Sequence, residues 1–175
     1  MRKLIVFVLI ITTSMLLCSC KSGGKSVIVD NDHQKAQQTI EMLLETIQNK
    51  DASKLKTLFS KNILNQLKLF DESVNKLFNY FNGSIELFDD GAGPFVETTK
   101  DDNFVFQIME SSFIVKTDVC EYRFAMRYIT EGNTDDIGIV SLYVIKSADD
   151  KNSDYVYWGD GKFTPGIHIG IANND

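Results

Sequence analysis

At Asn82-Gly83 the spacing of apolar residues changes period, and that change decides which fold classes remain open. Upstream the spacing is helical. Ala36, Ile40, Leu43, Leu44 and Ile47 recur three and four residues apart, which gathers them on one face of a helix. Asn31 followed by Gln34 forms the pattern of a capping box at its start. Asn49-Lys50-Asp51 interrupts the pattern, and Asp51 is a good N-cap for a short second helix carrying Leu55, Leu58 and Phe59. From Ile63 through Leu67, Phe70, Val74 and Leu77 to Phe81 the helical spacing returns. Asp71 either caps a fresh helix inside that stretch or sits on its solvent face.

Downstream of Asn82-Gly83 the pattern becomes that of strands. Ser84 to Phe88 is a short candidate, followed by a turn-rich Asp89-Asp90-Gly91-Ala92-Gly93-Pro94. Phe104 to Val115 is apolar and β-prone, with Ser111-Ser112 a bulge or bend, and Thr117-Asp118 turns the chain. Cys120, Tyr122, Phe124, Met126 and Tyr128 then alternate with Glu121, Arg123 and Arg127, so the first set shares one face and Cys120 is expected as a buried free thiol. Ile137 to Ile145 is long and β-branched enough for a central strand, and Tyr155-Val156-Tyr157-Trp158 forms a last aromatic one. Helices followed by an antiparallel meander predict an α+β fold, N-terminal helices packed on one face of a curved antiparallel sheet.

The N-terminus carries a different signal. Arg2 and Lys3 precede an apolar run from Leu4 to Leu17, broken only by Thr12, Thr13 and Ser14. Those 14 residues fall short of the roughly 20 that a spanning helix needs, and their flanks match a secretory signal. Leu17-Cys18-Ser19-Cys20 resembles the lipobox of bacterial lipoproteins, with small Ser19 directly before Cys20. The resemblance implies cleavage before Cys20, a thioether-linked diacylglyceryl group on its sulfur and anchoring at the extracytoplasmic face of a cell membrane. Bulky Leu17 in the small-residue position makes Cys18 a poor rival acceptor. Residues 1–19 are thus expected as signal peptide, 20–29 as a glycine-rich tether and 30–175 as one domain. A flexible tether of that length has an end-to-end distance of about 17 Å.

Loss of residues 1–19 removes Arg2 and Lys3 and no acidic residue, which moves the net charge from −6 to −8. An acidic domain repels phosphate backbones and anionic headgroups, so nucleic acid is not an expected partner and membrane attachment falls to the acyl chains on Cys20. At about 0.8 kcal/mol per buried methylene, two or more chains hold far more firmly than one. Cys120 is left without a partner cysteine, so the core rather than a disulfide must stabilise the domain.

Three helices followed by a long bent sheet resemble the NTF2-like, or cystatin-like, cone. More narrowly, the chain is similar to a family of uncharacterised bacterial lipoproteins of that fold, known as a domain of unknown function. The resemblance rests on Asn49-Lys50-Asp51 with Leu58-Phe59-Ser60, Phe81-Asn82-Gly83, Gly93-Pro94, Val115-Lys116-Thr117, Ile137-Gly138-Ile139 with Ser141-Leu142, and Pro165-Gly166-Ile167, in order over residues 30 to 168. It implies a fold and a location and brings no activity.

The chemistry-bearing motifs are sparse. His33 and His168 stand near opposite ends of the domain with no cysteine or acidic cluster at ligand spacing, and no nucleophile elbow, Cys-His signature or phosphate-cradling loop occurs, so no metal or cofactor is expected. Asp150, Asn152 and Asp154 imitate a calcium loop, but Tyr155 replaces its glycine and Gly161 its bidentate glutamate. NTF2-like enzymes often pair an Asp or Glu with a His or Tyr inside the cone, which makes Glu110 a candidate base as well as a surface residue. Tyr122, Phe124, Tyr128, Tyr143 and Trp158 are either core or the lining of a ligand pocket. The expectation is a lipid-anchored binding or interaction module for a small apolar ligand or an envelope protein. The alternatives are an NTF2-like enzyme on a small apolar substrate and a structural envelope lipoprotein.

Overall fold

A computed structural model describes residues 31–101, 104–149 and 164–170. The expected signal segment and tether, Cys20, the Asp150–Asp154 stretch and the strand Tyr155–Trp158 lie outside the described residues. Among the described residues four helices come first: α1 (Asn31–Gln48), α2 (Ala52–Thr57), α3 (Lys61–Gln66) and α4 (Phe70–Tyr80). Five strands follow: β1 (Ile85–Asp101), β2 (Phe104–Thr117), β3 (Glu121–Glu131), β4 (Gly138–Lys146) and β5 (Gly166–Ile169). The α+β class and the change of structure after Asn82-Gly83 are both observed.

Local chemistry sets the helix boundaries. The Asp51 carboxylate accepts from the Lys54 N–H at 2.8 Å and starts α2 as expected. The long helical stretch from Ile63 is two helices, because Leu67 turns extended after α3. Asp71 makes no cap. It stands in the first turn of α4, where the helix dipole favours an anion, and Lys56 Nζ approaches it at 3.4 Å.

The sheet runs β1-β2-β3-β4-β5, antiparallel as far as β4. β5 departs from the expected meander and pairs with β4 in parallel, from Ser141↔Gly166 to Val144↔Ile169. The glycine-rich stretch after Phe88 is also no turn. β1 runs through it without ending, and its register with β2 slips between Asp90 and Ala92 and again between Ala92 and Phe95. That is a bulge, and glycine serves it: Gly93 has φ +92, and a Cβ there would stand 2.6 Å from the Glu110 carbonyl oxygen. Ser111-Ser112, expected as the irregular pair, continue unbroken in β2 while β1 bulges opposite them.

α1, α2 and α4 bury their apolar sides on one face of the sheet. Ile40, Leu43, Leu55 and Leu77 meet Phe113, Phe124, Met126 and Leu142, and all eight are fully buried. Burial of each such side chain is worth about 1.5–3 kcal/mol. The connection between α2 and α3 adds a backbone tie to the sheet. Ile139 N–H donates to the Leu58 carbonyl at 2.8 Å, and Ser60 N–H donates to the Ile139 carbonyl at 3.0 Å. Gly138 makes that approach possible: with φ +126, its Cβ would fall 2.7 Å from Ser60 N and 2.9 Å from Leu58 O.

Candidate cleft between the first helix and the sheet

Helix α1 carries a second stripe beside its buried one. Lys35, Gln38, Thr39 and Met42 stand three, one and three residues apart, so they share a face next to Ala36, Ile40 and Leu43. This stripe faces the ends of β3 and β4. There α1, the last residues of α2 and the strand ends part company and leave a cleft of about 350 Å³. Thr57 and Leu58 close one side, and Tyr128, Ile129, Thr130, Ile137, Gly138 and Ile139 form the other. The Leu58–Ile139 tie fixes the distance between the two walls.

Below the cleft, the β3–β4 loop is fastened to the start of α3. Ser60 Oγ and Asn62 N–H both donate to the Asp135 carbonyl at 3.0 Å, and Asn62 Nδ2 donates to Asp136 Oδ1 at 2.6 Å. Lys61 Nζ adds an exposed ion pair with Asp135 at 3.0 Å. Such a pair contributes under about 1 kcal/mol, so the backbone and amide contacts do the fastening.

The hydroxyl groups around the cleft are committed to the protein. Thr39 donates to the Lys35 carbonyl at 2.8 Å, Thr57 to the Lys54 carbonyl at 2.7 Å, and Thr130 to Gln107 Oε1. Their methyl groups are left to the cleft beside Met42, Leu58, Ile137 and Ile139. Met42 and Ile137 remain 44% and 46% exposed, as apolar residues at a mouth do. Lys35 stands at the rim, its Nζ 3.6 Å from Asp32 and 3.9 Å from Glu131. Tyr128 supplies the inner wall. Its hydroxyl lies 2.8 Å from Met109 Sδ, and burial pushes the phenol up to about 12. The arrangement can hold an apolar body with few polar groups.

The five aromatic candidates separate. Tyr122 and Phe124 are fully buried in the core on the helix side, and Tyr128 alone among them reaches the cleft. Tyr143 pairs with Ala125 and therefore faces the other side of the sheet, where its ring stacks on His168 with centroids 4.5 Å apart. Trp158 lies outside the described residues. Glu110 also faces away from the helices, since its neighbour Met109 faces them, and its carboxylate meets Arg127 Nε at 3.4 Å. His33 pairs with Asp90 at 3.3 Å, and His168 Nε2 lies 2.8 Å from the Thr164 carbonyl. Among the described residues, no group of three or more His, Cys, Asp or Glu could hold a metal ion, and no helix is long and apolar enough to cross a membrane. Cys120 is half-buried rather than buried, because it precedes β3 in a turn held by Thr117.

The α1 side of the cleft was not foreseen from sequence. Its available signal was Met42, an apolar residue lying off the buried stripe.

The profile of a family described as a domain of unknown function, DUF5104, matches residues 42–147. No curated protein matches the chain.

Proposed function

The chain belongs to the DUF5104 family, and from that premise we propose that it is a lipid-anchored, extracytoplasmic binding module which takes a small apolar ligand into the cleft between α1 and the β3–β4 ends. The observation that carries this reading is the cleft itself, open, with a mostly apolar surface and walled by Tyr128. Its volume of about 350 Å³ falls at the small end of the range for small-molecule sites. Helices on one face of an open sheet, with a cavity at one end between them, also support the NTF2-like cone that the sequence suggests. Location rests on the sequence: the lipobox register at Cys20, the signal-like segment before it and the short tether after it. Binding is favoured over turnover because Glu110, on which a catalytic reading depends, faces away from the cleft and pairs with Arg127.

The test is native mass spectrometry of the Cys20→Ala chain purified from its own host, with a Thr39→Trp variant alongside. The indole would occupy the cleft from a helix position that tolerates size. Retention of a small molecule by the first protein and not by the second is the expected result. If both retain it, or neither binds a small apolar fluorophore in solution, the cleft is not the site. Turnover of a small substrate that vanishes in Glu110→Gln with the fold intact would move the protein to the enzymes.

A further inference from the structure

The far end of the β1–β2 pair projects beyond the rest of the sheet. β2 meets β3 only from Gln107↔Glu131 onward, so Phe104 to Phe106 pair with Thr99 to Asp101 and with nothing else in the sheet. A two-stranded ribbon alone is marginally stable in water, and one that exposes large apolar side chains is more so. The ribbon exposes Phe104 at 42% and Val105 at 37%, and just inside it, where β2 is already paired with β3, Phe95 stands 57% and Val96 39% exposed. No other part of the described chain concentrates so many.

The register places Phe95 beside Glu110 and Glu97 beside Ile108, all four on the sheet face away from the helices. Together with Val96 they line a hollow of about 160 Å³, room for about one long side chain. Phe95, Val96 and Ile108 supply its apolar lining. Its polar groups are both carboxylates, Glu110 held by Arg127 and Glu97 with no ion pair among the described residues. The surrounding strand is acidic too: β1 carries Glu86, Asp89, Asp90, Glu97 and Asp101 against the single cation Lys100. Beside the hollow the carboxylates of Glu97 and Glu110 outnumber the Arg127 guanidinium, and an apolar surface with that excess of negative charge favours a partner of the opposite sign over a second copy or an anionic bilayer.

We propose that this ribbon, together with the stretch of β1 and β2 leading into it, is a docking surface for a protein segment rich in apolar and basic residues, with one arginine or lysine of the partner seated in the Phe95–Glu97–Ile108 hollow. The aliphatic stem would lie on Ile108, the cation over the Phe95 ring and against the Glu97 carboxylate. This surface is separate from the cleft and does not depend on a ligand there.

The experiment titrates the Cys20→Ala chain with an octapeptide alternating leucine and arginine, followed by calorimetry. The same peptide with glutamate for arginine serves as control. Binding of the basic peptide alone is expected, weakened about tenfold by either Glu97→Lys or Phe95→Ser, as loss of a central charge or aromatic contact does. Glu72→Lys, an equal charge change at an exposed position of α4, is expected to leave it unchanged. Equal weakening by Glu72→Lys reduces the effect to net charge and overturns the proposal. So does failure of the basic peptide to bind. Self-association abolished by Phe95→Ser, or binding to phosphatidylglycerol vesicles abolished by it, would assign the ribbon to a second copy or to lipid instead.

Discussion

Tyr122 and Tyr80 close the seam between the helices and the sheet. The Tyr122 hydroxyl donates to the Tyr80 carbonyl at 3.1 Å and accepts from Asn82 N–H at 2.9 Å, and the two rings meet edge to face with centroids 5.8 Å apart. Tyr80 in turn accepts on its own hydroxyl from the Lys146 N–H at 3.0 Å. One phenol thus satisfies the backbone where α4 ends, and the other ties that end to β4.

Removal of a single oxygen should therefore matter. Tyr122→Phe keeps the ring but leaves the Asn82 N–H without its acceptor, while the Tyr80 carbonyl keeps only the Asn82 Nδ2 donor at 3.0 Å. A loss of about 1–3 kcal/mol is expected, measured as a lower urea midpoint at unchanged slope.

The same phenols set an alkaline limit. Burial pushes Tyr122 and Tyr128 from the ordinary 10.0 up to about 12, and raises Tyr80 for the same reason. Above pH 10 the unfolded chain has released phenol protons that the folded chain still holds, so stability falls as pH rises. The contribution is complete below pH 10 and lost by about 12. Denaturation followed across that window should show the fall, reduced in Tyr128→Phe.

Gly138→Ala should be severe for its size. The added Cβ cannot share space with Ser60 N and Leu58 O, and φ +126 is strained for alanine. An expected loss of about 2–4 kcal/mol would accompany release of the Leu58–Ile139 tie, with faster amide exchange at Ile139.

Phe124→Ala tests whether this ring is core or pocket. A cost of about 3–5 kcal/mol is expected from the cavity it leaves, without effect on occupancy of the α1 cleft at temperatures where the variant stays folded. Loss of ligand without loss of stability would return Phe124 to the lining.

Cys20→Ala should abolish lipid labelling and shift the protein to the soluble fraction, whereas Cys18→Ala should leave both unchanged. Unchanged labelling of the first variant, or loss only in the second, would remove the assignment of Cys20.

Which features were visible in the sequence follows from how far their causes reach along the chain. Asp51, the α1 stripe and the alternation from Tyr122 to Tyr128 act within a few residues, and each is where the pattern puts it. The break between α3 and α4 was left open by the sequence, because Leu67 and Phe70 keep the helical period while the backbone turns extended between them. Gly91 to Pro94 has the composition of a turn, and a bulge draws on the same residues for the same φ freedom. β5 is four residues whose partner lies across the sheet, too short for a period. The cleft depends on where α1 ends up against β3 and β4, so its aromatic wall was guessed from Tyr128 and its helical wall was missed.

The tie between Leu58 and Ile139 has a consequence for a chain made from its N-terminus. Residues 31 to 80 emerge first, with the apolar sides of four helices and no sheet to receive them. The meander then assembles from neighbouring segments, but the α2–α3 connection finds its partner only when Gly138 and Ile139 leave the ribosome, about eighty residues after Leu58. Loop closure over that span is slow compared with forming a hairpin. Until then the helical half is synthesised but unfinished, and a growing chain stays open for most of its own synthesis.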